Sequence, residues 1–120
     1  MKAYTDLEQS KKLAKILPPE SADMCYRAYR EEGGIPDYQV TLCPYQFASW
    51  VGVPCWSLAA MLDYLSANFH IDIKYLDTQW ELDCRVQVTY ARELVDACVE
   101  MVLNTNKKFC DYENNSRRNI

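Results

Sequence analysis

Apolar and polar positions along the chain fall into three stretches of helical spacing and several of strict alternation. The first helical stretch opens on a Thr5-x-x-Glu8 capping box, and Leu7, Leu13, Ala14 and Leu17 then recur on one face until Pro18-Pro19 stops it. Lys11, Lys12 and Lys15 occupy its other face and its last turns, where cations complement the helix dipole. Met24, Tyr26 and Ala28 next alternate with Cys25, Arg27 and Tyr29, which reads as a strand, with a short helix as the competing assignment. The turn cluster Gly33-Gly34 and Pro36-Asp37 leads into Tyr38, Val40 and Leu42, completing a hairpin. Pro44 has no N–H for a ladder, so it belongs at an edge or bulge, and the apolar phase shifts to Tyr45 and Phe47 beyond it.

Val53-Pro54-Cys55-Trp56-Ser57 opens a second helix, with proline in the first turn, running to about Ser66. Cys55, Leu58, Ala59, Leu62 and Leu65 form its stripe, and Trp56, Met61 and Tyr64 add apolar character elsewhere, which predicts a helix covered on several sides. Asn68 is expected as a left-handed stop. Ile71, Ile73 and Tyr75 then form a strand and Asp77-Thr78 a tight turn. From Trp80 through Leu82, Cys84, Val86, Val88 and Tyr90 the apolar residues keep period two, with Glu81, Asp83, Arg85, Gln87 and Thr89 on the opposite, solvent-facing side. The last helix runs from about Arg92 to Asn104, with Leu94, Val95, Cys98, Met101 and Val102 inward and Glu93, Asp96 and Glu100 outward.

The order α-β-β-α-β-β-α defines an α+β fold: an antiparallel sheet of about four strands with three helices on one face, although two hairpins need not share a sheet. Residues 1–106 form a single globular domain, and 107–120 read as a polar C-terminal tail. A length of 120 residues with 49% apolar and 25% charged side chains is one ordinary globular domain, which excludes disordered and low-complexity classes. The net charge of −4 disfavours gripping nucleic acid. The polar start lacks the apolar core of a signal peptide, so the cytoplasm is expected. The long uncharged stretch from Asp37 to Asp63 is broken by Pro44, Gly52 and Pro54 and reads as core rather than a membrane span.

Chemistry-bearing residues are sparse in pattern. Six cysteines, at 25, 43, 55, 84, 98 and 110, contain no C-x-x-C and accompany one histidine, so zinc spacing is absent and the thiols read as packing residues. Cys55 is the nucleophile candidate, because the first turn of a helix stabilises a thiolate, with His70 as its candidate base. Its apolar neighbours argue for packing instead. Glu93, Asp96 and Glu100 read as a solvated face rather than a cation site. Three glycines cannot build a P-loop or a dinucleotide fingerprint, and no cofactor is expected.

The aromatic content is the informative excess: Tyr26, Tyr29, Tyr38, Tyr45, Phe47 and Trp50 crowd the first hairpin and its exit. Such rings serve either a core built from large side chains or a partner-binding face.

The phrases from Ala3 to Ala14, Glu20 to Met24, Val53 to Ala60 and Val95 to Met101 resemble a group of small uncharacterised proteins encoded in gut Bacteroidetes genomes, often among phage or other mobile elements. The similarity covers the three helices, while Asn104-Thr105-Asn106 and the longer tail depart from the group's pattern. It implies an accessory protein and carries no activity or site residue.

Two functional classes follow. The first is a non-enzymatic protein-interaction module whose aromatic hairpin meets an unidentified protein partner. Exposed edges of a small sheet also allow a homodimer. The alternative is a small cytosolic enzyme or ligand-binding protein using Cys55 and His70.

Overall fold

Asp6, one residue later than expected, starts the first helix, α1 (Leu7–Leu13): its carboxylate accepts from the Gln9 amide, and the Gln9 side chain accepts from the Asp6 N–H. This is a complete capping box with Asp and Gln in place of Thr5 and Glu8. A computed structural model of the chain describes residues 1–30, 36–41 and 52–118, with side chains described for 1–27 and 52–106. After α1 the chain leaves the helix in a turn around Lys15, well before the prolines, and a single 3₁₀ turn spans Pro19–Ser21.

Strands β1 (Met24–Arg30) and β2 (Pro36–Thr41) form the expected antiparallel hairpin, with Tyr26 opposite Val40 and Arg30 opposite Pro36. Pro44 and the phase shift after it lie outside the described residues. The segment expected to open the second helix is instead a strand, β3 (Gly52–Cys55), antiparallel to β1 on the side away from β2. Pro54 is tolerated there because β3 is the outer strand of this sheet among the described residues. Gly52 is required by the pairing: a Cβ at this position would sit 1.7 Å from the Tyr26 carbonyl oxygen, a backbone atom.

Helix α2 (Leu58–Asn68) begins only after Ser57, whose hydroxyl accepts from the Ala60 N–H. It buries Met61 and Leu65 but leaves Ala59 and Asp63 exposed, so it is one-sided rather than covered all round. Asn68 does not take the left-handed conformation; the helix is capped by Phe69 in extended geometry.

Strands β4 (Asp72–Leu76), β5 (Gln79–Asp83) and β6 (Val88–Ala91) form a second antiparallel sheet in that order. The fold is therefore α+β with six described strands in two sheets of three, not one sheet of about four. The extra strand comes from a break in the long alternation. Arg85 adopts a positive φ of 76°, its N–H donates to the Asp83 carboxylate, and the Cys84 N–H donates to the Gln87 carbonyl. This turn reverses the facing of everything after it. Thr89, expected outward, is buried with its hydroxyl on the Ala97 carbonyl, and Val88 and Tyr90, expected inward, face solvent.

Helix α3 (Leu94–Arg118) runs 25 residues, through the segment expected as a tail. It is the centre of the molecule: Val95, Ala97, Cys98, Val99, Met101 and Val102 are buried against β5, β6, α2 and α1. Trp56 and Leu13 complete the same core from the other side. No helix among the described residues is long and apolar enough to cross a membrane.

The first sheet is held to this core by the chain's own N-terminal segment. Thr5 donates its N–H to the Trp56 carbonyl, Leu58 donates to the Ala3 carbonyl, and Tyr4 pairs with Ser57 as a bridge. The fully buried Thr5 hydroxyl accepts from the Trp56 N–H at 3.1 Å and lies 2.8 Å from the Ser10 hydroxyl. Thr5→Val keeps the volume and leaves these buried groups without their oxygen, so a loss of about 2 kcal/mol in urea unfolding is expected. A loss below about 0.5 kcal/mol would show that Thr5 is not a determinant of the fold.

Candidate interaction surface

Cys55 lies at the end of β3 and not in the first turn of a helix, where the sequence placed it. It is fully buried, its Sγ donates to the Thr5 carbonyl at 3.4 Å and stands 3.6 Å from the Thr5 hydroxyl. Burial pushes this thiol above its ordinary pKa, and hydrogen bonds from Thr5 and Ser10 offset that only in part. Cys98, buried in α3, is pushed up to about 12 by desolvation alone. His70 is elsewhere in character: it follows α2, is 59% exposed, and its Nε2 lies 3.9 Å from the Asp72 carboxylate. No hydrogen bond joins Cys55 to His70, and the nucleophile–base pair the sequence allowed is not assembled. Cys25 and Cys84 are buried as well, in accord with thiols used for packing, while Cys43 and Cys110 fall outside the described side chains.

Glu93 and Asp96 are partnered rather than simply solvated. The Lys2 backbone N–H donates to Glu93 at 2.8 Å, and the Lys2 ammonium donates to Asp96 at 2.7 Å, to Asp6 at 3.2 Å and to the Gln9 side-chain oxygen at 3.0 Å. Gln9 also donates to Asp96. The cluster joins the start of α1 to the first turn of α3, where acids suit the dipole. Burial alone would lower the Lys2 pKa, but hydrogen bonds to Asp96 and Asp6 outweigh it and the value is raised. Asp6 is lowered, because the Gln9 N–H and Lys2 outweigh its partial burial. Among the described residues no group of three or more histidine, cysteine or acidic side chains is placed to hold a metal ion.

Of the six aromatic residues expected at a partner face, Tyr26 is turned inward. It is 8% exposed, and its hydroxyl donates to the Thr5 carbonyl at 2.8 Å. Burial holds its phenol well above the ordinary range. Tyr29 and Tyr38 lie in β1 and β2 opposite Asp37 and Ala28, and their side chains fall outside the described residues, as do Tyr45, Phe47 and Trp50 entirely.

The described apolar surface lies on the second sheet instead. The register sets Leu82 and Thr89 toward α3 and puts Leu76, Glu81, Val88 and Tyr90 on the opposite face. No helix among the described residues covers that face, and Leu76, Val88 and Tyr90 are 48%, 38% and 51% exposed. The Tyr90 hydroxyl donates to Glu81 across the strand pair at 3.0 Å, which orients the ring and raises its pKa. The only sequence signal for this surface was the Asp83-x-Arg85 turn, which the unbroken alternation concealed. A separate cleft of about 560 Å³ lies between α2 and α3, lined by Ile16, Leu17, Tyr64, Phe69 and Val102 among others. Neither Cys55 nor His70 lines it, and its Asn68 and Thr105 side chains already donate to helix carbonyls.

No protein-family model, curated protein or solved structure matches the chain.

Alkylation in the native state at pH 8 should leave Cys55 and Cys98 at least about 100-fold slower to react than in urea. Rapid native labelling of Cys55, read by peptide mapping, would restore it as a nucleophile. The Lys2 cluster has its own signature. Asp6, with its folded value below the ordinary 3.8, contributes stability above that pH and loses it as pH falls through the lowered value. Lys2, raised above 10.5, contributes fully below that pH and loses it as pH rises through the raised value. The stability difference between wild type and Lys2→Met should therefore be about 1 kcal/mol across the neutral range and shrink at both extremes. A difference that does not change with pH would assign the effect to packing.

Proposed function

We propose that this chain is a non-enzymatic protein-interaction module, an accessory protein that docks a protein partner through the outer face of its second sheet. The observation that carries the reading is the exposure of Leu76 on β4 and of Val88 and Tyr90 on β6, all on one face of a sheet whose other face is packed on α3. Burying large apolar side chains against a partner contributes roughly 25 cal/mol per Å², and an amphipathic tyrosine held by a cross-strand hydrogen bond loses little freedom on docking. Lys74 and Glu81 share the cross-strand row of Tyr90 on the same face, so charged groups are interspersed with the apolar side chains there. The burial of Cys55 and its hydrogen bonds to Thr5 support packing over catalysis. A cytoplasmic setting, in the mobile-element context that the resemblance implies, accords with this reading.

The test is capture from host lysate with wild-type protein beside a combined Leu76→Ser, Val88→Thr and Tyr90→Ser variant, all three changes being at exposed positions. A partner identified by mass spectrometry should be retained by the wild type and lost by at least about tenfold with the variant, with thermal stability of the two matched. Equal capture by both, or none by either, would overturn the reading.

A further inference from the structure

We propose that β4 pairs antiparallel with β4 of a second copy of this chain, about a two-fold axis that sets Ile73 opposite the partner's Ile73. The inference rests on the interaction-module reading and names one partner of the second sheet. Three features of β4 lead to it. First, among the described residues β4 is the outer strand of its sheet and is paired with β5 alone. A two-residue turn at Asp77-Thr78 closes the pair Leu76–Gln79, so Leu76, Lys74 and Asp72 direct their backbone groups toward β5, and Ile73 and Tyr75 direct theirs outward.

Second, every residue of β4 is exposed. Ile73 and Tyr75 lie on the helix side of the sheet, opposite Leu82 and Trp80, yet Ile73 is 38% and Tyr75 58% exposed while Leu82 is fully buried. The helical layer ends over β5. Tyr75 is held against Trp80 with ring centroids 4.9 Å apart, so the uncovered strip is ordered. A second β4 would bring the partner's Ile73 and the partner's Tyr75 into the same strip.

Third, charge selects the register. The outward backbone groups of Ile73 and Tyr75 can bond only residues of the same set in the second copy. Centring on Ile73 sets Asp72 opposite the partner's Lys74 and Lys74 opposite the partner's Asp72, in non-hydrogen-bonded positions where side chains approach closest. Tyr75 then faces the partner's Ile71. Sliding by one step to centre on Lys74 would set two lysines against each other and lose both ion pairs. An edge lysine ordinarily discourages pairing. Here an aspartate two residues away makes the edge complementary to itself.

Sedimentation velocity on the full chain tests this with charge exchange. Wild type should be a dimer at roughly 100 µM. Lys74→Asp and Asp72→Lys alone should each raise the dimer dissociation constant by at least about tenfold, because each sets like charges together twice. The doubly exchanged Asp72→Lys/Lys74→Asp chain should dimerise as wild type does, and an equimolar mixture of the two single variants should form a mixed dimer. Far-UV circular dichroism confirms that each variant is folded. A monomeric wild type, or single variants that dimerise unimpaired, would overturn the pairing, whereas the docking reading falls only with the lysate comparison at Leu76, Val88 and Tyr90.

Discussion

One buried threonine at the crossing of two extended segments is the constraint on which the architecture rests. Thr5 donates and accepts against Trp56 through its backbone N–H and its side-chain oxygen, and its carbonyl takes the Tyr26 hydroxyl and the Cys55 thiol. Buried polar groups are costly unless satisfied, so a site in which each of these groups finds a partner admits few other arrangements of the chain. Its consequences spread in both directions. Trp56, fixed by Thr5 on its backbone and by Ser21 on its indole N–H, becomes the largest fully buried side chain among the described residues. On the other side, anchoring Ala3 and Thr5 brings Lys2 within reach of Asp96 and Glu93, which joins the start of α1 to α3.

Thr5 also shows where the sequence was legible and where it was not. Periodicity located α1, the β1–β2 and β4–β5 hairpins and the buried stripe of α3, because each of these is specified by residues adjacent in the chain. It placed the first cap on Thr5 and missed Asp6, since both satisfy the local pattern and only the distant Trp56 amide decides between them. Val53-Pro54-Cys55 has the same ambiguity. Proline suits a first helical turn and an edge strand equally, and pairing with Met24 through Arg27 settles it as β3. With that strand went the dipole argument for Cys55. The polar partners of Glu93 and Asp96 were beyond local pattern for the same reason, since they come from the far end of the chain.

The turn at Cys84 to Gln87 had the widest effect on the reading of the surface. Period-two alternation carries no mark of a reversal when the turn happens to keep the alternation going, and a one-residue change of parity moves every side chain to the other face. Here Thr89 goes in and Val88 and Tyr90 go out. The inward Thr89 is made acceptable by its bond to the Ala97 carbonyl inside α3, so the same contact that docks the sheet on the helix exposes the apolar pair.

Among the described side chains, the two sheets put their large residues to opposite uses. The first turns Tyr26 inward, with its hydroxyl satisfied by the Thr5 carbonyl of the N-terminal segment. The second is packed on one face only, and its outer strand extends past the helices that cover β5. A strand in that position keeps Ile73, Tyr75 and Leu76 largely in water, with one ring contact from Tyr75 to Trp80. Threonine or lysine would suit an edge and resist aggregation better than these apolar side chains. The proposed association would give these residues a role: an edge whose backbone groups, apolar strip and alternating charges all match a single register would favour a partner that completes all three together.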